Sequence, residues 1–166
     1  MSYEKLFTLF KIGKMEVKNR LVMSPMGTNS ALANGRKTDN EIDYFIERAK
    51  GGVGMIIMGC QPLNEKIAQG SMEGYMDSFT VLPSLTSVCV HKYGAKIVCQ
   101  LTPGTGRNAF PDTLGNPPMS ASEIPSAFDP NLMCHALTKE EISKMMDDFK
   151  FAAGVAMDAG YDAIEI

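Results

Sequence analysis

Three times the sequence runs from an amphipathic stretch through glycine into a short apolar run: ERAKGGVGMIIMG, CVHKYGAKIVCQL and AMDAGYDAIEI. Each reads as a helix, a left-handed stop and a strand. The runs Val53 to Met58 and Lys96 to Leu101 are apolar on both faces, which fits strands of a parallel sheet covered by helices. Helix starts are marked too. Thr38 with Glu41, and Thr138 with Glu141, have the spacing of a capping box, while Pro83 suits a first helical turn. Gly51, Gly94 and Gly160 occupy the stop positions. In the third helix Ile142, Met145, Met146, Phe149, Ala152, Ala153, Ala156 and Met157 recur at three- and four-residue steps, which predicts one buried face. Lys144, Asp147, Asp148 and Lys150 fall on the other.

Upstream, RLVMSPMG reads as a strand ending at a polar turn, and FKIGKMEVKNR as a hairpin turning near Gly13 and Lys14. The order is therefore a hairpin followed by β-α-β-α-β-α-β, an α/β fold wound right-handedly. An open doubly wound sheet and part of a (βα)8 barrel both satisfy it. No G-x-G-x-x-G follows the first strand, where the chain reads SPMGTNSALANG, and that favours the barrel.

A chain of 166 residues is enough for one domain, spanning 1–166, with no separate second domain. Its net charge of −3 supplies no basic field, which argues against nucleic acid and anionic membrane as partners. With 45% hydrophobic residues and no long uncharged apolar run, it reads as globular rather than disordered or membrane-spanning. The start MSYEKLFTLFKIGK holds no signal-peptide core, so a cytoplasmic location is expected. Cys60, Cys89, Cys99 and Cys134 form no C-x-x-C pair, which argues against a disulfide framework and a zinc site. No metal site is expected.

Parallel α/β folds place their chemistry beyond the carboxyl ends of the strands. Those positions hold Ser24, Pro25, Met26, Gly27 and Thr28 after the first strand, then Gly59, Cys60 and Gln61, then Gln100 to Thr102 and PGTGR. The carboxamide of Gln100 offers donors and an acceptor to a planar heterocycle with an imide edge, or else satisfies neighbouring loop backbone. Pro25 and Gly27 permit close, rigid backbone approach to a flat ligand, or serve as ordinary turn residues. Gly59 lets something pack flat on the second strand, or marks a strand end. The connection from Arg107 to Leu137 is long and aperiodic, and its position predicts a lid over the rim. His91 and His135 stand alone, the first at a helix end where a cation suits the dipole. No catalytic residue is assigned. A thiol nucleophile at Cys60 or Cys99 would need a base that the flanking sequence lacks.

Taken together, FKIGKMEVKNRLVMSPMG, GGVGMIIMG, AKIVCQLTPGTGR, MSASEIPS and LTKEEISKMMDDFKFAAGVAMDAGYDAIEI resemble the amino-terminal half of the Old Yellow Enzyme family. Within it the chain is most similar to NADH:flavin oxidoreductases of the 2,4-dienoyl-CoA reductase type. The resemblance implies a (βα)8 barrel, here an incomplete one with four parallel strands, whose floor is closed by the hairpin. It implies FMN at the strand carboxyl ends and hydride passing from NAD(P)H through flavin to an activated alkene, an enone or dienoyl substrate. Pro25, Met26 and Gly27 would lie against the ring, Gly59 would line it, and Gln100 would bond its pyrimidine edge. An iron-sulfur cluster belongs only to longer relatives.

Two departures stand out. Gly27 replaces the Thr or Cys that many relatives use to adjust flavin potential, and QLTPGTGR lacks the histidine of Q-L-x-H-x-G-R and is one residue longer. The family continues after AGYDAIEI with four further strand and helix units, and the grip on phosphate follows strands seven and eight of such barrels. A 166-residue piece is therefore expected to offer a ring-binding wall, to be inactive alone, and to self-associate or pair with a complementing carboxyl-terminal half. The rival reading is a non-catalytic half-barrel that serves as an assembly module.

Overall fold

The computed structural model describes residues 3–32, 37–63, 86–112 and 114–166. A hairpin of β1 (Phe10–Ile12) and β2 (Met15–Val17) turns on Gly13 and leads to β3 (Val22–Met23). Then follow α1 (Asp39–Lys50), β4 (Met55–Pro62), α2 (Thr86–His91), β5 (Lys96–Thr102), two short strands β6 (Met119–Ser120) and β7 (His135–Ala136), α3 (Lys139–Asp158) and β8 (Ala163–Glu165). One sheet carries β3-β4-β5-β8 in that order, every neighbouring pair parallel. Pro83, read as a helix start, lies outside the described residues.

The helices decide between the two architectures. Phe45 and Ala49 of α1, Val90 of α2, and Ala152, Val155 and Ala156 of α3 pack in one cluster with Ile56, Met58, Ile97, Cys99 and Leu101. These strand residues share one face of the sheet. The opposite face holds Met55, Ile57, Val98 and Ala163, and its cover is Val17, fully buried, with Phe10 and Met15 of the hairpin. A doubly wound sheet carries helices on both faces, whereas a barrel wall carries them on its outside only. This sheet is an arc of barrel wall whose floor is plugged by the hairpin.

Each helix stop is a glycine in the left-handed region: Gly52, Gly94 and Gly160 have φ of 98°, 69° and 84°. Gly51, expected in that role, is instead the C-cap of α1 with helical φ of −65°, and the turn follows one residue later. A second correction concerns α3. Met145, Phe149, Ala152 and Ala156 face the core, but Ile142, Met146 and Met157 are 44%, 54% and 74% exposed. Only a narrow stripe of a helix can reach a sheet packed beneath it, so the outer members of a wide apolar band stay in water.

At the amino-terminal end of the sheet Asp162 ties three elements together. Its carboxylate accepts from Ile97 N at 2.9 Å and from Lys96 Nζ at 2.7 Å, and pairs with His91 Nε2 at 2.6 Å. Burial pushes this carboxyl up, but Lys96, the Ile97 N–H and His91 outweigh it and hold it below the usual range. His91 is thus accounted for as a brace between α2 and β8.

Candidate active site

Because all four strands are parallel, their carboxyl ends form one rim. Pro25, Met26 and Gly27 follow β3 there, Gly59 lies in the second half of β4, and Gln100 lies near the end of β5. The structure brings these five together on one side. Met26 is 48% exposed and Gln100 half-buried, so the rim offers backbone and carboxamide groups to anything that covers it.

The ladder between β4 and β5 is regular up to Met58 and Cys99, and resumes at Gln61 and Leu101. Gly59 and Cys60 together oppose the single residue Gln100, which is a bulge. Two consequences follow. The extra residue reverses the side-chain parity of β4, so Gln61 turns to the helix face and is fully buried. It also pushes the backbone of Gly59 against β3's continuation, where a Cβ would overlap the N, C and O atoms of Met26. Only glycine fits that approach.

Gln61 Nε2 donates to Gly59 O at 2.8 Å, and its Oε1 accepts from Lys37 Nζ at 3.0 Å. Lys37 Nζ also pairs with Glu41 Oε1 at 3.2 Å, the two side chains being 3% and 0% exposed. Sequence reasoning missed Lys37, because a lysine one residue before a helix cap reads as a solvated charge. It missed Glu165 as well, although alternation along AIE puts it on the face of Gln100. Gln100 Nε2 donates to Glu165 Oε2 at 3.5 Å, a long bond that a better acceptor can replace.

The connection read as a lid is more structured than its composition suggests. β6 and β7 pair in parallel within it, Pro125 bridges to Met133, and Phe110 stacks on Phe128 at 4.5 Å. It walls a cavity of about 650 Å³ beside the rim, with Cys60, Pro62 and Thr102 at the strand ends and Phe110, Met119 and His135 across from them. His135 Nε2 bonds Glu141 at 2.9 Å, at the start of α3. The thiol alternative weakens for Cys99, which is buried on the helix face with its pKa pushed up to about 12. Among the described residues no three His, Cys, Asp or Glu side chains gather as a metal site, and no helix is long and apolar enough to cross a membrane.

The groups on this rim are of a kind that a flavin ring could meet. The half-buried carboxamide of Gln100 and the open backbone of Pro25 to Gly27 suit a flat, imide-edged ligand.

A family model described as the NADH:flavin oxidoreductase / NADH oxidase family matches residues 5–166. Cinnamate reductase of Clostridium sporogenes is 38% identical over 172 residues, covering 99% of this chain and 26% of that protein. An NADPH dehydrogenase of Clostridium acetobutylicum is 37% identical over 166 residues, covering 98% and 47%. Among solved structures, Old Yellow Enzyme from a Pichia species superimposes with a TM-score of 0.82 at 27% identity, over 96% of this chain and 45% of that one. The chain thus spans about a quarter to a half of the length of the relatives it matches.

Proposed function

The chain belongs to the NADH:flavin oxidoreductase / NADH oxidase family, and from that membership we propose that it is the amino-terminal half, residues 1–166, of an FMN-dependent ene-reductase. The observation that carries the reading is the shared rim: Pro25 to Gly27, the bulge at Gly59 and the inward Gln100 stand on one end of a parallel barrel arc. FMN, when bound, supplies hydride transfer from NAD(P)H to an activated alkene. The residues supply orientation. Gln100 donates to and accepts from the pyrimidine edge, exchanging its long bond to Glu165 for shorter ones. Pro25, Met26 and Gly27 present their backbone to the ring, and Gly59 backs Met26 from behind. The cavity beside the rim takes the substrate, a conjugated enone, dienoyl thioester or arylpropenoate, the last suggested by the cinnamate reductase relative.

Pairing with a complementing carboxyl-terminal half, or with a second copy, is part of the proposal. It is supported by the exposed apolar flank of α3 at Ile142, Met146 and Met157. The same feature favours the rival, a half-barrel that assembles without catalysis.

Titration with lumiflavin, which is the ring alone, and with FMN separates the two. A ring wall without a phosphate grip predicts similar affinities for both ligands, and Gln100→Ala should weaken each about tenfold, the value of one or two lost bonds. Failure of the unaltered chain to bind either ligand, even alongside a complementing half, would sink the flavin reading.

A further inference from the structure

We infer that Lys37 is a positioning residue for the rim: through Gln61 it fixes the bulge at Gly59, and through Gly59 the backbone of Met26. Its importance for chemistry rests on the function proposed above, but the mechanical link does not.

The chain of contacts is continuous. Lys37 Nζ reaches Gln61 Oε1, Gln61 Nε2 reaches Gly59 O, and Gly59 sits so close to Met26 that a Cβ on it would overlap the Met26 backbone. Each step leaves little slack, since Lys37, Glu41 and Gln61 have side chains with almost no exposure. A bulge interrupts the ladder that would otherwise hold its residues, so something outside the ladder must set their orientation. Gln61 does so for Gly59. A carboxamide turns about a soft terminal torsion unless its ends are engaged. Lys37 engages the other end.

The composition of the spot supports a positioning role over packing. Gln61 is fully buried opposite Leu101, a core residue, at a position that an apolar side chain could fill. A buried ion pair is commonly neutral or worse for stability than apolar residues of similar volume. Holding the bulge in place gives the pair a role that packing alone does not. Among the described residues the Lys37 ammonium is taken up by Glu41 and Gln61.

The test records backbone amide resonances of the 166-residue chain. Gln61→Leu leaves the Lys37–Glu41 pair standing and cuts the link to Gly59, and it should displace and broaden the amides of Met26 and Gly27 while Val98 and Ala163 stay in place. Leu101→Val, an equally near change without the link, should leave Met26 and Gly27 where they are. Lys37→Met strands Glu41, so it is paired with Glu41→Leu to keep the fold, and the double variant should reproduce the displacement seen with Gln61→Leu. Unmoved Met26 and Gly27 in both Gln61→Leu and the double variant would overturn the inference, as would equal displacement by Leu101→Val. Lumiflavin binding adds the functional arm: about tenfold weaker binding by the double variant supports a role toward the ring, and unchanged binding overturns it. If the unaltered chain binds no lumiflavin, the proposed function fails and the amide result alone decides the link.

Discussion

Helices α1 and α3 both start on a threonine followed three residues later by a glutamate, as TDNE in one and TKEE in the other. Each threonine accepts from the glutamate N–H at 3.2 Å. Beyond that bond the two starts diverge. Glu141 turns back to its own helix, accepting from Thr138 N at 2.8 Å and closing the box, with His135 alongside. Glu41 instead pairs with Lys37 in a buried site beneath the rim. The difference is burial: a carboxylate in water is served by the nearest backbone donor, whereas one enclosed beside an ammonium is held by charge. One motif thus serves a helix end in α3 and a barrel rim in α1.

Four experiments bear on this contrast. The largest effect is expected from Glu41→Ala, which leaves the Lys37 ammonium enclosed without its counter-ion and should cost about 3–5 kcal/mol in urea unfolding. Glu141→Ala, at an exposed site, should barely move the midpoint, and equal losses at the two glutamates would erase the distinction. Next, Gly59→Ala should cost about 1–3 kcal/mol through overlap with Met26, showing how tightly the rim above α1 is packed. Thr38→Ala and Thr138→Ala should each cost about 1 kcal/mol. A smaller loss at Thr38 would mean that the ion pair, not the cap, starts α1.

The smallest effect is a titration. Bonds from the Thr138 N–H and then from His135 hold the Glu141 carboxyl below its ordinary 4.5. Since the folded value is the lower one, this contribution is complete above the unfolded pKa and disappears as pH falls through the folded pKa. Carbon-13 titration of Glu141 should therefore show a midpoint under 4.5, and a midpoint at or above it would deny the closed box.

What could be read from the letters alone follows the same division. Local signals were legible: glycine after each helix, threonine before two of them, and apolar runs that could only be buried strands. The rim residues Pro25, Gly27, Gly59 and Gln100 were legible as well, because parallel strands fix which end their loops share. The bulge was not, since Gly59, Cys60 and Gln61 look like a plain strand end until β5 supplies the register. Without the bulge the parity of Gln61 comes out reversed, and Lys37 has nothing to reach. The exposed flank of α3 failed for a related reason: periodicity reports which residues share a side, while the width of the sheet decides how many of them are covered. β6 and β7 are two residues each, too short to leave a pattern.

The knot at Asp162 lies at the opposite end of β5 and β8 from Gln100. It joins α2, β5 and β8 through bonds that no loop of the upper rim touches. Segments above the strands can accordingly be exchanged, lengthened or rewritten while this anchorage stays intact, which makes the molecule a suitable base for grafting new loops. An engineer would leave Lys96, His91 and Asp162 alone and vary residues 103–118.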